Sequence, residues 1–363
     1  MSQVAIISCK SYDESEVLAA VERGLTLLGG AEQFVKPDEN ILLKLNWLTG
    51  DAPEKCVTTH PAVFRAVASV LQRAGAKLAY GDSPGFQSPD TAAKKTGCAE
   101  VAEQMNIPLA DFRAGREAHY PEGKQNKKFV IANAVLDSDG VVSLPKMKTH
   151  AFQRVTGAVK NQFGCIPGAL KGEFHVKVPD ATDFARMLID LNSFVHPRLY
   201  VMDGIMAMEG NGPRGGDPRQ MNVLLFSRDP IAMDATMCRI MNLDPALVLT
   251  NRVGAEMGAG AYAAEEIRLL GDPLEQFVAT DYNVNRKPES DAPKKQQPNF
   301  IKQAITPRPY ILSDRCVRCG ICVKMCPVTP KAVDWHDGNK KNPPSYRYDR
   351  CIRCYCCQEI CPE

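Results

Sequence analysis

The chain has 363 residues, 44% of them apolar and 24% charged, with a formal net charge of +2. Such values fit a globular chain of one large or two smaller domains, and the near-balanced charge gives no electrostatic footprint for nucleic acid or an anionic membrane. The first residues, MSQVAIISCKSYDESE, lack a basic start and a long apolar run, and no stretch is long enough to span a bilayer. The reading is cytoplasmic, with neither nucleic acid nor membrane as partner; nothing in the composition speaks to oligomeric state.

In chain order, QVAIIS and NILLKLN read as short buried strands. HPAVFRAVASVLQRAG is apolar at Val63, Val67, Val70, Leu71 and Ala74, the spacing of a helix, with Pro61 in its first turn and Gly75 at its end. AKLAY is the next strand, and SPDTAAKKTGCAEVAEQM the next helix. NAVLDSDGVVSLP reads as a strand containing a turn, and PKMKTH follows where that strand should end. RLYVMD and MNVLLFS are further strands. PIAMDATMCRIM is a helix, with Asp229 placed to cap it and Pro230 to start it. This alternation predicts an α/β domain over residues 1–282, a mostly parallel sheet flanked by helices. Residues 283–309 are polar and proline-rich, a linker. Residues 310–363 form a small C-terminal α+β unit of ferredoxin type.

That last assignment rests on cysteine. Nine of the 14 cysteines fall between Cys316 and Cys361. CVRCGICVKMCP and CIRCYCCQEICP each read C-x2-C-x2-C-x3-C-P, the run of two-cluster ferredoxins, in which the fourth cysteine serves the other cluster. Three thiolates on a tight loop reach three irons of a cubane, and the fourth leaves on a helix toward the neighbouring one. One [4Fe–4S] cluster is thus expected on Cys316, Cys319, Cys322 and Cys361, and a second on Cys326, Cys351, Cys354 and Cys357. Two intact copies with both prolines point to iron rather than zinc. Cys356 falls outside the repeat, and Cys165 reads as buried packing. KAVDW and SYRYD should pair as a hairpin. RPYILS should be an outer strand; its partner would follow the second C-P, where the sequence stops at Glu363, so that strand is either cut off or missing.

In an open parallel α/β sheet, ligands bind beyond the carboxyl ends of the strands. Applied here, that rule gathers Asn46 after ILLKL, Asp82 and Ser83 after KLAY, PKMKTH after GVVSL, and Asp203 and Glu209 after RLYVM. Residues 145–177 carry Lys146, Lys148, Arg154, Lys160, Lys171 and Lys177 against one acid, Glu173, with His150 and His175 added. This local excess of five positive charges lies in a glycine-rich, largely apolar segment, and buried lysines need an anionic partner. Asn46, Asp82, Ser83, Lys146, Lys148, His150, Lys160 and His175 are therefore the candidate substrate-binding residues. Asp203 and Glu209 are candidate proton donor and acceptor, or ligands to a divalent metal.

LPKMKTH, TGAVKNQFGCIPG, DGIMAMEGNGPRGGDP and GDSPG together resemble the DUF362 family. The resemblance implies such a domain followed by two ferredoxin-type motifs, in agreement with the division above. It implies no reaction and no catalytic residue.

The function expected is that of an iron–sulfur oxidoreductase, passing electrons between two [4Fe–4S] clusters and an anionic small molecule or cofactor in the α/β domain. The alternative is a ferredoxin-like carrier or adaptor whose α/β domain docks a redox partner protein. Neither a G-x-G-x-x-G after a strand nor a P-loop is present, so a nicotinamide or ATP site is not indicated. A flavin or other organic cofactor stays open, because some flavin sites lack a short motif. The oxidoreductase reading requires the small domain to fold back over the lysine-lined face.

Overall fold

The computed structural model describes residues 1–168, 170–288, 307–335 and 338–363. Eleven strands belong to the large domain: β1 Ser2–Ser8, β2 Asn40–Lys44, β3 Lys77–Gly81, β4 Gly115–His119, β5 Lys128–Ala132, β6 Gly140–Ser143, β7 Lys146–His150, β8 Arg154–Thr156, β9 Leu199–Glu209, β10 Asp217–Ser227 and β11 Ile267–Gly271. Nine of them make one sheet, in the order β11-β1-β10-β9-β6-β2-β3, with β7 on β9 and β8 on β7. The sheet is mostly parallel: β2 runs with β3 and β6, β9 with β6 and β7, and β1 with β11. β10 is inserted antiparallel between β1 and β9. β4 and β5 form a separate hairpin.

Helices cover both faces, as the near-continuous apolar strands require. On one side, Glu14–Leu27 and Pro61–Arg73 bury Val17, Val21, Leu25, Val63, Val67 and Leu71 against Ile7, Leu43 and Phe226. On the other, Ala181–Val195 packs with Pro230–Ile240 and Leu249–Glu256. Each fully buried Val or Leu contributes about 1.5–3 kcal/mol relative to exposure. Asp229 caps its helix through the amides of Ile231 and Ala232, as its position before Pro230 indicates.

Four local readings change in the large domain. The expected helix after AKLAY is two, Pro89–Lys95 and Cys98–Gln104, broken at Gly97 with φ 74°. NAVL is a short helix, Asn133–Leu136, so only GVVS is strand. KMKTH is strand β7, wholly buried and laid beside the far end of β9, where a loop was expected. β9 itself runs through Asp203 to Glu209, because DGIMAME keeps pairing with β10.

In the tail, Val333–Asp334 pairs with Ser345–Tyr346, the hairpin read from the sequence. Residues 310–313 form no strand. Most of the expected linker, residues 289–306, lies outside the described residues.

Candidate functional site

β2, β3 and β6 end together, and the segment 154–177 folds over their carboxyl ends. Lys44, the last residue of β2, is fully buried; its Nζ lies 2.8 Å from Asp82 Oδ1 and donates to the Leu45 carbonyl and to Asn161 Oδ1. Asp82 also accepts the amides of Trp47 and Ser83. This buried pair leaves no room beneath residue 164: a Cβ on Gly164 would stand 1.9 Å from Asp82 Oδ1, so only glycine lets the segment cross here. A second buried carboxylate, Asp234, accepts the amides of Ala158 and Val159 and so fixes the turn Ala158–Asn161 that carries Lys160. Burial pushes Asp234 up to about 7 despite those amides.

Between this floor and the tail lies a cavity of about 120 Å³. Asn46, Asp82, Ser83, Lys148, His150, Lys160 and His175 line it, joined by Lys171. Lys171 donates to the Ser83 carbonyl and hydroxyl and to the Ile166 carbonyl. Lys148 is also buried, yet its Nζ meets a single acceptor, the Val57 carbonyl at 2.6 Å. Burial pulls both lysines down to about 7, with Lys146 and Lys160 adding to the effect on Lys148. Lys160 is half-buried and rests over the Phe163 ring, 5.2 Å from its centroid. Nδ1 of His150 accepts the amides of Phe152 and Gln153, which leaves the proton on Nε2. His175 stacks on Phe184, and burial lowers it to about 4. Asn46 Oδ1 and His175 Nδ1 are buried without a hydrogen-bond partner. Buried polar atoms of this kind are normally paired, so the cavity is suited to a polar occupant.

The roof belongs to the tail: Met325, Cys356, Glu359 and Ile360. Glu359 Oε1 stands 3.1 Å from His150 Nε2, close enough for electrostatic attraction but off the line of a hydrogen bond. Burial opposes its charge, but His150, Lys160 and His175 outweigh that and hold the carboxyl below its ordinary range. Arg214, from the β9–β10 turn, clasps Asp51 with Nε and Nη2 and donates from Nη1 to the Ile360 carbonyl at 2.6 Å.

Three expected site residues lie elsewhere. Lys146 is not in the cavity: the irregular register between Lys146 and Lys148 turns it to Asp203 Oδ2, 2.7 Å away, and to the Tyr12 hydroxyl. Asp203 also accepts the His60 amide and the Tyr12 hydroxyl, so it is a saturated internal carboxylate. Glu209, at the end of β9, accepts the Asn283 amide and faces Arg219. Asp203 and Glu209 stand six positions apart on β9 and are engaged by different partners, so the structure does not bring the two carboxylates together. Lys171, Asn161 and Glu359, which the sequence reading did not place in the site, also line the cavity, and Lys44 lies beneath it; the signals were a lysine inside an apolar strand and an acid between cluster-type cysteines.

The tail cysteines fall around two cavities. Cys316, Cys319, Cys322 and Cys361 line one of about 570 Å³, which Cys357 also touches. Cys326, Cys351, Cys354 and Cys357 line a smaller one. The two motifs share a backbone: Arg318 and Arg353 sit at φ 55° and 60°, and Gly320 and Tyr355 at 73° and 60°. These paired left-handed residues curl each C-x2-C-x2-C loop inward, and a non-glycine residue adopts that conformation only under constraint. Each set thus frames a cavity from a curled loop plus one cysteine of the other motif. The residues present therefore fit iron–sulfur clusters.

A family model described as "Domain of unknown function (DUF362)" matches residues 41–239, and one described as "4Fe-4S dicluster domain" matches residues 308–362. The chain belongs to the DUF362 family. Its tail is an iron–sulfur-binding unit of ferredoxin type. A thylakoid-associated protein of Synechocystis sp. is 38% identical over 279 residues, 77% of this chain and 86% of that protein. Among solved structures, the lactate racemase apoprotein of Thermoanaerobacterium thermosaccharolyticum aligns at TM-score 0.41 and 14% identity, over 66% of this chain and 56% of that one. A Thermotoga maritima protein aligns at 0.36 and 11%, over 62% and 57%. No helix among the described residues is long and apolar enough to cross a membrane.

Proposed function

We propose that this DUF362 protein is an iron–sulfur oxidoreductase that binds a small anion in the cavity between its α/β domain and its tail. The observation that carries the reading is the make-up of that cavity. Its floor and walls gather Lys148, Lys160, Lys171, His150 and His175 on a lining shared with Trp47, Leu48 and Phe163. Its roof is built from neighbours of cluster-type cysteines: Met325 precedes Cys326, Cys356 lies between Cys354 and Cys357, and Ile360 precedes Cys361.

Two [4Fe–4S] clusters would be held by Cys316, Cys319, Cys322 and Cys361, and by Cys326, Cys351, Cys354 and Cys357. When bound, such clusters supply or accept single electrons. Lys148 and Lys160 would bind a carboxylate or phosphate by charge-assisted hydrogen bonds, about 1.5–3 kcal/mol each. Met325 and Ile360 would exclude water, and Nε2 of His150 would hold a proton at the cavity wall.

The test is anaerobic purification followed by iron and sulfide analysis and mass spectrometry of released small molecules. About eight irons and eight sulfides per chain support two clusters. An iron content near half of that, or zinc in its place, would refute the cluster count; absence of any anion that competes with phosphate would refute the cavity assignment.

A further inference from the structure

The two cysteine sets differ in exposure. Cys319 is exposed and Cys357 is buried; the cavity of the first set opens between the tail and large-domain residues such as Asn211, Asp217 and Asn283, whereas that of the second set is lined by tail residues alone. Around Cys319 the surface is unusual. Of seven large apolar side chains exposed among the described residues, three fall within eight consecutive positions: Tyr310 at 72%, Leu312 at 46% and Val317 at 58%. Scattered exposed apolar residues need no explanation, but a contiguous patch marks an interaction site. Val317 sits between Cys316 and Cys319, so the patch reaches the cysteine loop itself.

The patch is also basic. Arg308, Arg315 and Arg318 are exposed within it, against Asp314 in the same stretch and the exposed Asp217 and Glu363, which line the same cavity. Arg308 lies over the Tyr348 ring, 4.6 Å from its centroid, and Arg318 donates to the Lys341 carbonyl, which brings the exposed pair Lys340 and Lys341 alongside. Arginine and aromatic side chains around an apolar centre are what protein interfaces enrich.

We infer that this surface docks an acidic single-electron carrier protein, set against the exposed cysteine loop at Cys319. The inference rests on the reading that the tail cysteines hold clusters. A second copy of the chain would bring like charges face to face. A lipid surface is met by an amphipathic helix, and residues 307–312 form none. A negatively charged protein satisfies the arginines, covers Tyr310, Leu312 and Val317, and gives a short-lived contact of the size typical of redox encounters.

The experiment uses the full chain, purified anaerobically, with iron and sulfide counted and reduction by dithionite recorded first; those two readouts test the cluster reading by itself. Binding of an acidic [2Fe–2S] ferredoxin is then measured by calorimetry at low and moderate salt. Saturable binding is expected, at least about tenfold weaker after a tenfold rise in ionic strength. The double change Arg315→Glu and Arg318→Glu should weaken it about tenfold or more while iron content and dithionite reduction stay unchanged. If that variant loses iron, the pair Tyr310→Ser and Leu312→Ser replaces it, with the same loss expected. Arg268→Glu, on the far edge strand, should have no effect. Salt-independent binding, no binding by a fully loaded protein, or an equal effect of Arg268→Glu overturns the inference. So does patch-dependent binding to phosphatidylglycerol vesicles, or patch-dependent self-association, in place of ferredoxin binding.

Discussion

Glu359, at the end of the short helix Cys356–Glu359, places its carboxylate 3.1 Å from Nε2 of His150, on strand β7 of the large domain. A carboxylate of the protein's own tail thus already stands at the edge of the cationic cavity. On the proposed reading it would help to hold the tail down and would compete with an anion from outside.

Glu359→Ala should therefore separate two effects. The tail loses a buried polar contact, so hydrogen exchange across residues 351–363 should rise, with a loss of about 1–3 kcal/mol in docking of the tail. Affinity of the large domain for phosphate or small carboxylates should rise, because the tethered competitor is gone. Unchanged exchange and unchanged anion affinity would show that Glu359 does neither.

Anion binding should depend on pH through Lys148 and Lys171, both drawn down to about 7 by burial. A bound anion favours their charged forms, so binding takes up protons and its affinity should fall as pH rises above about 7. Calorimetry in two buffers of different ionisation enthalpy reads that uptake. The same shifts act on stability with a definite sign. Between about 7 and the ordinary lysine range near 10.5, the unfolded chain holds protons that the folded chain has lost. Stability of the anion-free protein from these two groups should thus rise with pH in that window, and their cost is greatest below it.

Lys146 and Asp203 should behave as a structural pair. Lys146→Met leaves a buried carboxylate with the Tyr12 hydroxyl and the His60 and Ile205 amides but no cation, at a cost of about 3–5 kcal/mol in chemical denaturation. Changing Asp203→Asn as well should recover part of that loss. Anion affinity of the folded fraction should not fall, and above about pH 7 should rise slightly because Lys146 no longer disfavours the charged form of Lys148; a loss of affinity in a fully folded Lys146→Met protein would return Lys146 to the binding site.

Arg214 joins three segments, and a lysine cannot reproduce its fork. Arg214→Lys should keep the charge but lose either Asp51 or the Ile360 carbonyl, about 1.5–3 kcal/mol, with protease cutting near residue 360 as the readout.

Which features were legible in the sequence follows from what fixes each of them. Cubane chemistry fixes cysteine spacing locally, so the two motifs and the Val333–Tyr346 hairpin could be read directly. The charge concentration around Lys148 and Lys160 is also local. Lys44 was hidden because a strand of ILLKL looks like packing, and its ion pair with Asp82 depends on β2 and β3 lying side by side. Asp203 and Glu209 were placed in a loop because five residues of strand looked sufficient; pairing with β10 carries β9 on to eleven. Lys146 and Lys148 share a parity in sequence, but the irregular register against β9 sends them to different partners. Glu359 depends on how the tail seats on the large domain, which no short-range pattern encodes.

The most direct test of the central claim is a redox titration of the anaerobic protein followed by electron paramagnetic resonance, with and without saturating phosphate or the anion that co-purifies. An anion bound under Met325, Cys356 and Ile360 adds negative charge beside the second cysteine set. The account predicts a more negative potential for the cluster on Cys326, Cys351, Cys354 and Cys357, with the shift lost in Lys148→Met and Lys160→Met. Potentials that are identical with and without the anion, in a protein shown to bind it, would contradict the account.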